Sequence, residues 1–301
     1  MSTSVFVCGD RPSIPEGATD AFVIDGLCRD PGLIDLVDRE TERAVVVLHE
    51  GAYDLSAVQK ALRGIDVDPI GAQIVDLHQS DDPEMLGVTL TGLVARAAAF
   101  AGSEPEHVKP VLPKAVTRRG FLKPPVPVYV AVPLIDTQSC AADQGCRACV
   151  DVCPQEAYLW RAGTIVYDKD ACIPCGACVT TCPVAAIENP AVTPAMLEAQ
   201  VRAIVDSVPE PVGIRFVCTD GSIEPHSGWF DVEVPCSSMV PGTWLLASLL
   251  LGAGAATAVP CSESGCALGL DDGAIQANDL AHAVLTEVGL EPERVCGTVI
   301  A

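Results

Sequence analysis

Aromatic side chains are scarce in this chain, 4% of its 301 residues, so any core must be filled by close-packed aliphatic residues. Basic residues are scarce too: 18 Lys and Arg stand against 40 Asp and Glu, a net charge of −22. A nucleic-acid binder carries a basic stripe, and this charge balance is its electrostatic opposite. The acidic excess reads either as a solvated surface or as steering toward a basic partner. No hydrophobic run is long enough to span a bilayer. The uncharged stretch from Val234 to Ser262 is punctuated by Pro235, Pro241, Gly242, Gly252, Gly254 and Pro260. Its apolar core, Trp244 to Leu251, falls well short of the roughly 20 residues a membrane span needs. No G-x-G-x-x-G follows a strand-like run: Gly252-Ala-Gly254 precedes one and lacks the third glycine, so neither flavin nor NAD is expected. Met1 to Val7 is too short for a secretion signal and enters a strand-like run. A cytoplasmic location is the expectation.

Cysteine, by contrast, is abundant. Fifteen are present, and eight of them fall between residues 136 and 190. A small secreted domain would scatter them as disulfide partners; here they cluster in metal-ligand spacing, which points to thiolates in a reducing compartment. The run Cys172-Ile-Pro-Cys175-Gly-Ala-Cys178-Val-Thr-Thr-Cys182-Pro183 is C-x₂-C-x₂-C-x₃-C-P, the spacing of bacterial ferredoxins. Three thiolates from one tight loop occupy three corners of a cubane, and the fourth leads away to the other cluster. The small residues Gly176 and Ala177 allow backbone N–H groups to approach cluster sulfides.

An earlier run, Cys140-Ala-Ala-Asp143-Gln-Gly-Cys146-Arg-Ala-Cys149-Val-Asp-Val-Cys153-Pro154, repeats it. Cys146, Cys149 and Cys153 each stand 29 residues before Cys175, Cys178 and Cys182. The register sets Asp143 opposite Cys172, with a thiol three residues earlier at Cys140. Thiolate is the softer iron ligand, so Cys140 is assigned and Asp143 is the alternative. One [4Fe–4S] cluster then takes Cys140, Cys146, Cys149 and Cys182, and a second takes Cys153, Cys172, Cys175 and Cys178. Zinc also suits C-x₂-C pairs, but two copies with C-P endings at equal offset favour clusters.

The flanks read as α/β. Residues 1–108 alternate strand-like runs (Ser4–Cys8, Ala21–Ile24, Ala44–His49, Gln73–Leu77) with helical spacing over Asp30–Arg39, Asp54–Arg63 and Pro83–Ala101, which favours a parallel sheet covered by helices. Residues 109–135 read as a Pro-rich linker carrying Lys109, Lys114, Arg118, Arg119 and Lys123. This is either an extended tether or a docking strip for an acidic partner or a phosphate. Thr193 and Pro194 open a connecting helix within 191–210. Residues 211–301 return to α/β, with strands at Gly213–Val217, Asp231–Val234, Ala256–Val259 and Arg294–Ile300 and helices at Trp244–Leu251 and Asp272–Val288. The expected fold is two α/β domains flanking an α+β bacterial-type ferredoxin module at 136–190.

In the last domain Cys218, Cys236 and Cys261 each follow a strand, and Cys266 lies five residues further. Carboxyl ends of parallel strands share one edge, where ligands bind, so four thiols there suit a [2Fe–2S] cluster or a single metal. Buried inert cysteines are the alternative, and Cys296 reads as core. Phe216-Val-Cys218, Val234-Pro-Cys236, the Trp244–Gly252 helix and Val259-Pro-Cys261 through Cys266 resemble the delta subunit of methyl-viologen-reducing hydrogenase. That resemblance implies a [2Fe–2S] cluster passing electrons to heterodisulfide reductase. It departs at Asp220-Gly221, where the family often has a further cysteine. Val5-Phe6-Val7-Cys8-Gly9 and Val45-Val46-Val47-Leu48-His49-Glu50 are similar to the amino-terminal part of the flavin-bearing subunit of heterodisulfide reductase, without room for that family's flavin insertion.

The function expected is single-electron relay within a cytoplasmic oxidoreductase complex, with a flavoprotein, hydrogenase-like or heterodisulfide-reductase-like partner. No residue presents itself as a dedicated acid, base or nucleophile. The alternatives are a self-contained disulfide reductase using Cys8 and Cys28, and a non-enzymatic redox-sensing adaptor.

Overall fold

The computed structural model describes residues 2–9, 21–36, 41–49, 53–77, 83–112, 126–219, 226–260, 266 and 268–295. The chain forms two compact units, Met1–Ala131 and Val132–Ala301.

In the first unit, strands β1 (Thr3–Cys8), β2 (Ala21–Ile24), β3 (Arg43–His49) and β4 (Gln73–Leu77) form a four-stranded sheet of order β2-β1-β3-β4 with every pair parallel. The two faces follow from the side-chain alternation of a strand. Phe6, Cys8, Ala44, Val46 and Leu48 point to one side, where Val58, Ala61 and Leu62 of helix α1 (Leu55–Gly64) cover them. Val7, Val45 and Val47 point to the other, beneath Leu86, Leu90 and Ala97 of helix α2 (Pro83–Ala98). Asp54 caps α1, its carboxylate accepting from Ser56 N–H at 2.9 Å, the exchange that makes Asp a favoured cap. The helix anticipated over Asp30–Arg39 is a 3₁₀ helix, Pro31–Leu36; residues 37–40 lie outside the described set. Gly32 in its first turn disfavours a longer α-helix.

The stretch read as a linker differs from a tether at both of its described ends. Strands β5 (Val108–Val111) and β6 (Val128–Ala131) pair antiparallel. Tyr129 exchanges both backbone bonds with the Gln59 side chain of α1, at 2.7 and 2.8 Å, and its ring lies under Arg63 at 4.2 Å. Pro110 faces Tyr129 across the pair. Tyr129's backbone groups are turned to Gln59, so the N–H that proline lacks costs nothing there. Lys109 is buried; Lys114, Arg118, Arg119 and Lys123 lie outside the described residues.

The second unit opens with β7 (Leu134–Ile135), which pairs with β10 (Ile187–Glu188). Between them lie helix α3 (Ala148–Val152), the hairpin β8 (Tyr158–Arg161) with β9 (Thr164–Tyr167), and helix α4 (Ala177–Thr181). Helix α5 (Pro194–Ser207) follows, capped by Thr193, whose Oγ1 accepts from Met196 N–H at 3.3 Å. A three-stranded parallel sheet of order β12-β11-β13 comes next: β11 (Gly213–Cys218), β12 (Trp229–Val234) and β13 (Ala255–Ala258). Helices α6 (Gly242–Leu250) and α7 (Asp271–Glu287) pack on it. The central strand β11 is buried throughout, and its Arg215 makes a two-pronged pair with Asp231 at 2.6 and 2.9 Å. Of the strand anticipated over Arg294–Ile300, Arg294 closes a 3₁₀ turn and Val295 bridges Ala256; the remainder, with Cys296, lies outside the described residues. No helix among the described residues is long and apolar enough to cross a membrane.

Candidate metal centres

The duplicated spacing reappears as duplicated geometry. α3 and α4 have five residues each and carry Cys149 and Cys178 within them. Each helix ends on a cysteine in extended backbone, Cys153 (φ −74°, ψ 113°) and Cys182 (φ −70°, ψ 112°). The prolines that follow, Pro154 and Pro183, stop the helix there. Glu156 (φ 51°) and Ala185 (φ 50°) then turn the chain back through the left-handed region. The turn aims the N–H of Ala157 at Cys153 Sγ (3.3 Å) and of Ala186 at Cys182 Sγ (3.2 Å). A backbone donor on each sulfur stabilises its thiolate.

Two cavities lie between these elements. The first is lined by Cys153, Cys172, Cys175 and Cys178, with Pro133, Tyr158 and Gly176 among their neighbours. The second is lined by Cys140, Cys146, Cys149 and Cys182, with Ile135, Ile165 and Ile187. Each thus takes three thiols from one loop and the fourth from the other repeat. The two linings are alike in kind, four thiols set among mainly apolar neighbours, as two copies of one group would need. Among the described residues no three His, Cys, Asp or Glu side chains are grouped to hold a single ion. Each set of four thiols lines a cavity, the arrangement that the ligands of a multi-iron cluster would take.

The electrostatics agree with a cationic occupant. Burial pushes the Cys149 thiol up to about 11, and Cys140, Cys146 and Cys182 add to the shift. Burial likewise pushes Cys175 up to about 11 and Cys178 up to about 12, with Cys172 and Cys153 raising both. Buried thiols placed this close together ionise only around positive charge, which ferric and ferrous iron would provide. A further sign is the Tyr167 hydroxyl. It is buried and faces Cys172, where a ligating thiolate would accept its hydrogen bond.

The structure separates Cys140 from Asp143. Cys140 lines the second cavity and begins a 3₁₀ helix, Ala141–Gln144, that takes up the extra residues of the first repeat. Trp160 Nε1 pins this turn through Ala142 O at 3.0 Å. Asp143 is exposed, its backbone beside Gly163 in the β8–β9 turn. Cys140→Ser is therefore expected to damage one [4Fe–4S] electron paramagnetic resonance (EPR) signal while Asp143→Ala leaves both intact; the reverse would place the carboxylate on iron.

In the last sheet Cys218 ends β11 and Cys236 opens a 3₁₀ turn, Ser237–Met239. Both are buried, and Cys266 is partly so. The Cys236 thiol donates to Ser238 Oγ at 3.3 Å; burial raises its pKa, and Cys218 and Cys266 raise it further. These three thiols share one neighbourhood at the carboxyl edge of the sheet. Cys261 and the Asp220-Gly221 pair lie outside the described residues. Sequence reasoning did not anticipate the seam between this turn and the first cavity. A side-chain carbon at Gly176 would stand 2.8 Å from Met239 Cβ, and Cys236 is among the groups that raise Cys175. In the other unit Cys8 and Cys28 belong to the hydrophobic core, with Cys28 N–H on Cys8 Sγ at 3.4 Å.

Comparison with known proteins gives this arrangement its class. Residues 136–186 match the 4Fe-4S dicluster domain. A ferredoxin of Rickettsia felis is 45% identical over 40 residues, 13% of this chain and 37% of the relative, so the chain spans little more than a third of that relative's length. No solved structure matches the chain. The chain therefore contains a 4Fe–4S dicluster domain, and iron–sulfur electron transfer is the chemistry that domain supports.

Proposed function

We propose that this chain is an electron-relay subunit of a cytoplasmic oxidoreductase complex, holding two [4Fe–4S] clusters and one [2Fe–2S] cluster. The grouping of eight cysteines into two crossed sets of four around two cavities supports this reading most directly. Cys153, Cys172, Cys175 and Cys178 would hold one cluster and Cys140, Cys146, Cys149 and Cys182 the other. Cys218, Cys236, Cys261 and Cys266 would hold the third, the set that the likeness to the hydrogenase delta subunit implies. The parallel sheets before and after the dicluster domain support its placement between two α/β domains. When bound, the clusters supply one-electron transfer. The chain supplies thiolates, the N–H groups of Ala157 and Ala186 that stabilise two of them, and an apolar surround. Its partners would be flavoprotein, hydrogenase-like or heterodisulfide-reductase-like subunits, with no flavin or nicotinamide cofactor of its own.

Anaerobic reconstitution with iron and sulfide is expected to plateau near ten irons per chain, about four for each cubane and two for the smaller cluster. A plateau near eight would remove the third cluster, and a plateau near two would sink the dicluster reading.

A further inference from the structure

The two cavities are copies in sequence but not in their hydrogen bonding. Tyr158 Oη donates to Cys178 Sγ at 3.3 Å in the first cavity. Ile187 stands 29 residues on, at the equivalent position of the second repeat, and lines the second cavity. Tyr158 is stacked on Tyr167, ring centroids 4.8 Å apart, and Tyr167 packs against the cluster of buried residues that holds Cys172, its buried hydroxyl toward that thiol. The first cavity therefore has two phenolic hydroxyls directed at two of its four thiols. Apart from its thiols, the second is lined by Ile135, Ile165, Ile187, Val184, Pro183 and alanines, none with a side-chain donor. The backbone N–H bonds to Cys153 and Cys182 are matched across the repeats and cancel in the comparison.

Resting on the two-cluster reading above, we propose that Tyr158 and Tyr167 are potential-setting residues. Their hydroxyls hold up the reduction potential of the first cavity's cluster, the one that faces the last sheet.

The physical reason is differential. An added electron enlarges the negative charge carried by the thiolate sulfurs, so an O–H donor stabilises the reduced form more than the oxidised form and raises the potential. Burial acts the other way, since low dielectric disfavours the more charged reduced form. Cys172 and Cys178 are both buried, whereas only Cys149 is buried in the second set. Without the hydroxyls, the first cavity would be the harder of the two to reduce. An electron shared between them would rest away from Gly176 and the Cys236 turn. The hydroxyls move the balance back toward the first cavity, beside which Met239 joins the dicluster domain to the last sheet.

The test uses the full chain, reconstituted anaerobically, with iron counted first and potentials read by EPR-monitored redox titration. A Cys149→Ser variant marks which signal belongs to the second cavity. Tyr158→Phe and Tyr167→Phe keep the stacked rings and remove only the hydroxyls. Each is expected to leave iron content unchanged and to shift the one-electron partition about tenfold away from the first cavity, a fall of about 59 mV in its midpoint. The second cavity's midpoint should stay in place. Two clusters with unmoved midpoints would overturn the proposal and leave the relay reading standing. Equal shifts in both midpoints would overturn it too, as would loss of iron in both variants, which would make the tyrosines cluster-retaining groups. A wild-type chain with iron for only one cubane would overturn the relay reading and the proposal together.

Discussion

Cys182→Ala is expected to extinguish the cluster associated with the first repeat and to spare the one associated with its own. Cys182 lies seven residues after Cys175 in sequence, yet it lines the cavity of Cys140, Cys146 and Cys149. Helix α4 produces the crossing: its five residues carry Cys178 into one cavity, and Pro183 ends the helix with Cys182 turned toward the other. Alanine is chosen over serine because an alkoxide can still ligate. The chain should lose about four of the roughly eight cubane irons, and the surviving EPR signal should be the one that Cys175→Ser perturbs. Cys153→Ala should do the mirror image. If Cys182→Ala instead removes the signal that depends on Cys175, each loop holds its own cluster and the crossed assignment is wrong.

Much of this site is legible because its determinants are local. In C-x₂-C-x₂-C-x₃-C-P one tight loop and one short helix set the ligand positions, and an equal offset between two copies marks the repeat. Helix ends are local as well: Asp54 and Thr193-Pro194 are recognisable caps, and both cap the helices they precede. What the chain conceals depends on contacts between distant segments. Tyr158 and Tyr167 belong to no ligand spacing, so nothing local marks them. Only the folding of β8 and β9 over α4 brings Tyr158 to Cys178, 20 residues away. The sequence signal is the mismatch of Tyr158 with Ile187, one of several departures between the two repeats. The prolines of 109–135 suggested a tether because proline weakens strands on average. The pairing of Tyr129 with Gln59, 70 residues apart, shows how one side chain supplies bonds that a proline-bearing partner strand does not. The seam at Gly176 was half visible: a small residue beside the ligands suggested room for a cluster, but the neighbour it makes room for is also Met239.

Gly176→Ala should destabilise the reconstituted chain more than Gly145→Ala, and the difference measures that seam. Both glycines sit in the left-handed region, at φ +77° and +89°. An L-residue there costs about 1–2 kcal/mol, which both variants incur. Around Gly145 an added carbon meets nothing within 4 Å, so the backbone cost is the whole cost. At Gly176 the new carbon would lie 2.8 Å from Met239 Cβ and 3.0 Å from its Sδ. Met239 is fully buried in the turn that begins at Cys236, so it has little freedom to withdraw. Forcing a methyl into such a contact costs about 1–3 kcal/mol more. Met239→Ala should recover part of that excess in the Gly176→Ala background, because it removes Sδ and Cε but leaves Cβ. It should recover none in the Gly145→Ala background, as independent sites add. The measurement is the denaturant needed to bleach the cluster absorbance in the four variants, with the last-domain thiols followed by alkylation. Early exposure of Cys236 in Gly176→Ala, ahead of bleaching, would show the turn detaching from the first cavity. Equal losses for the two glycine variants would show that the contact with Met239 contributes nothing, and the seam would then be no route between the dicluster domain and the last sheet.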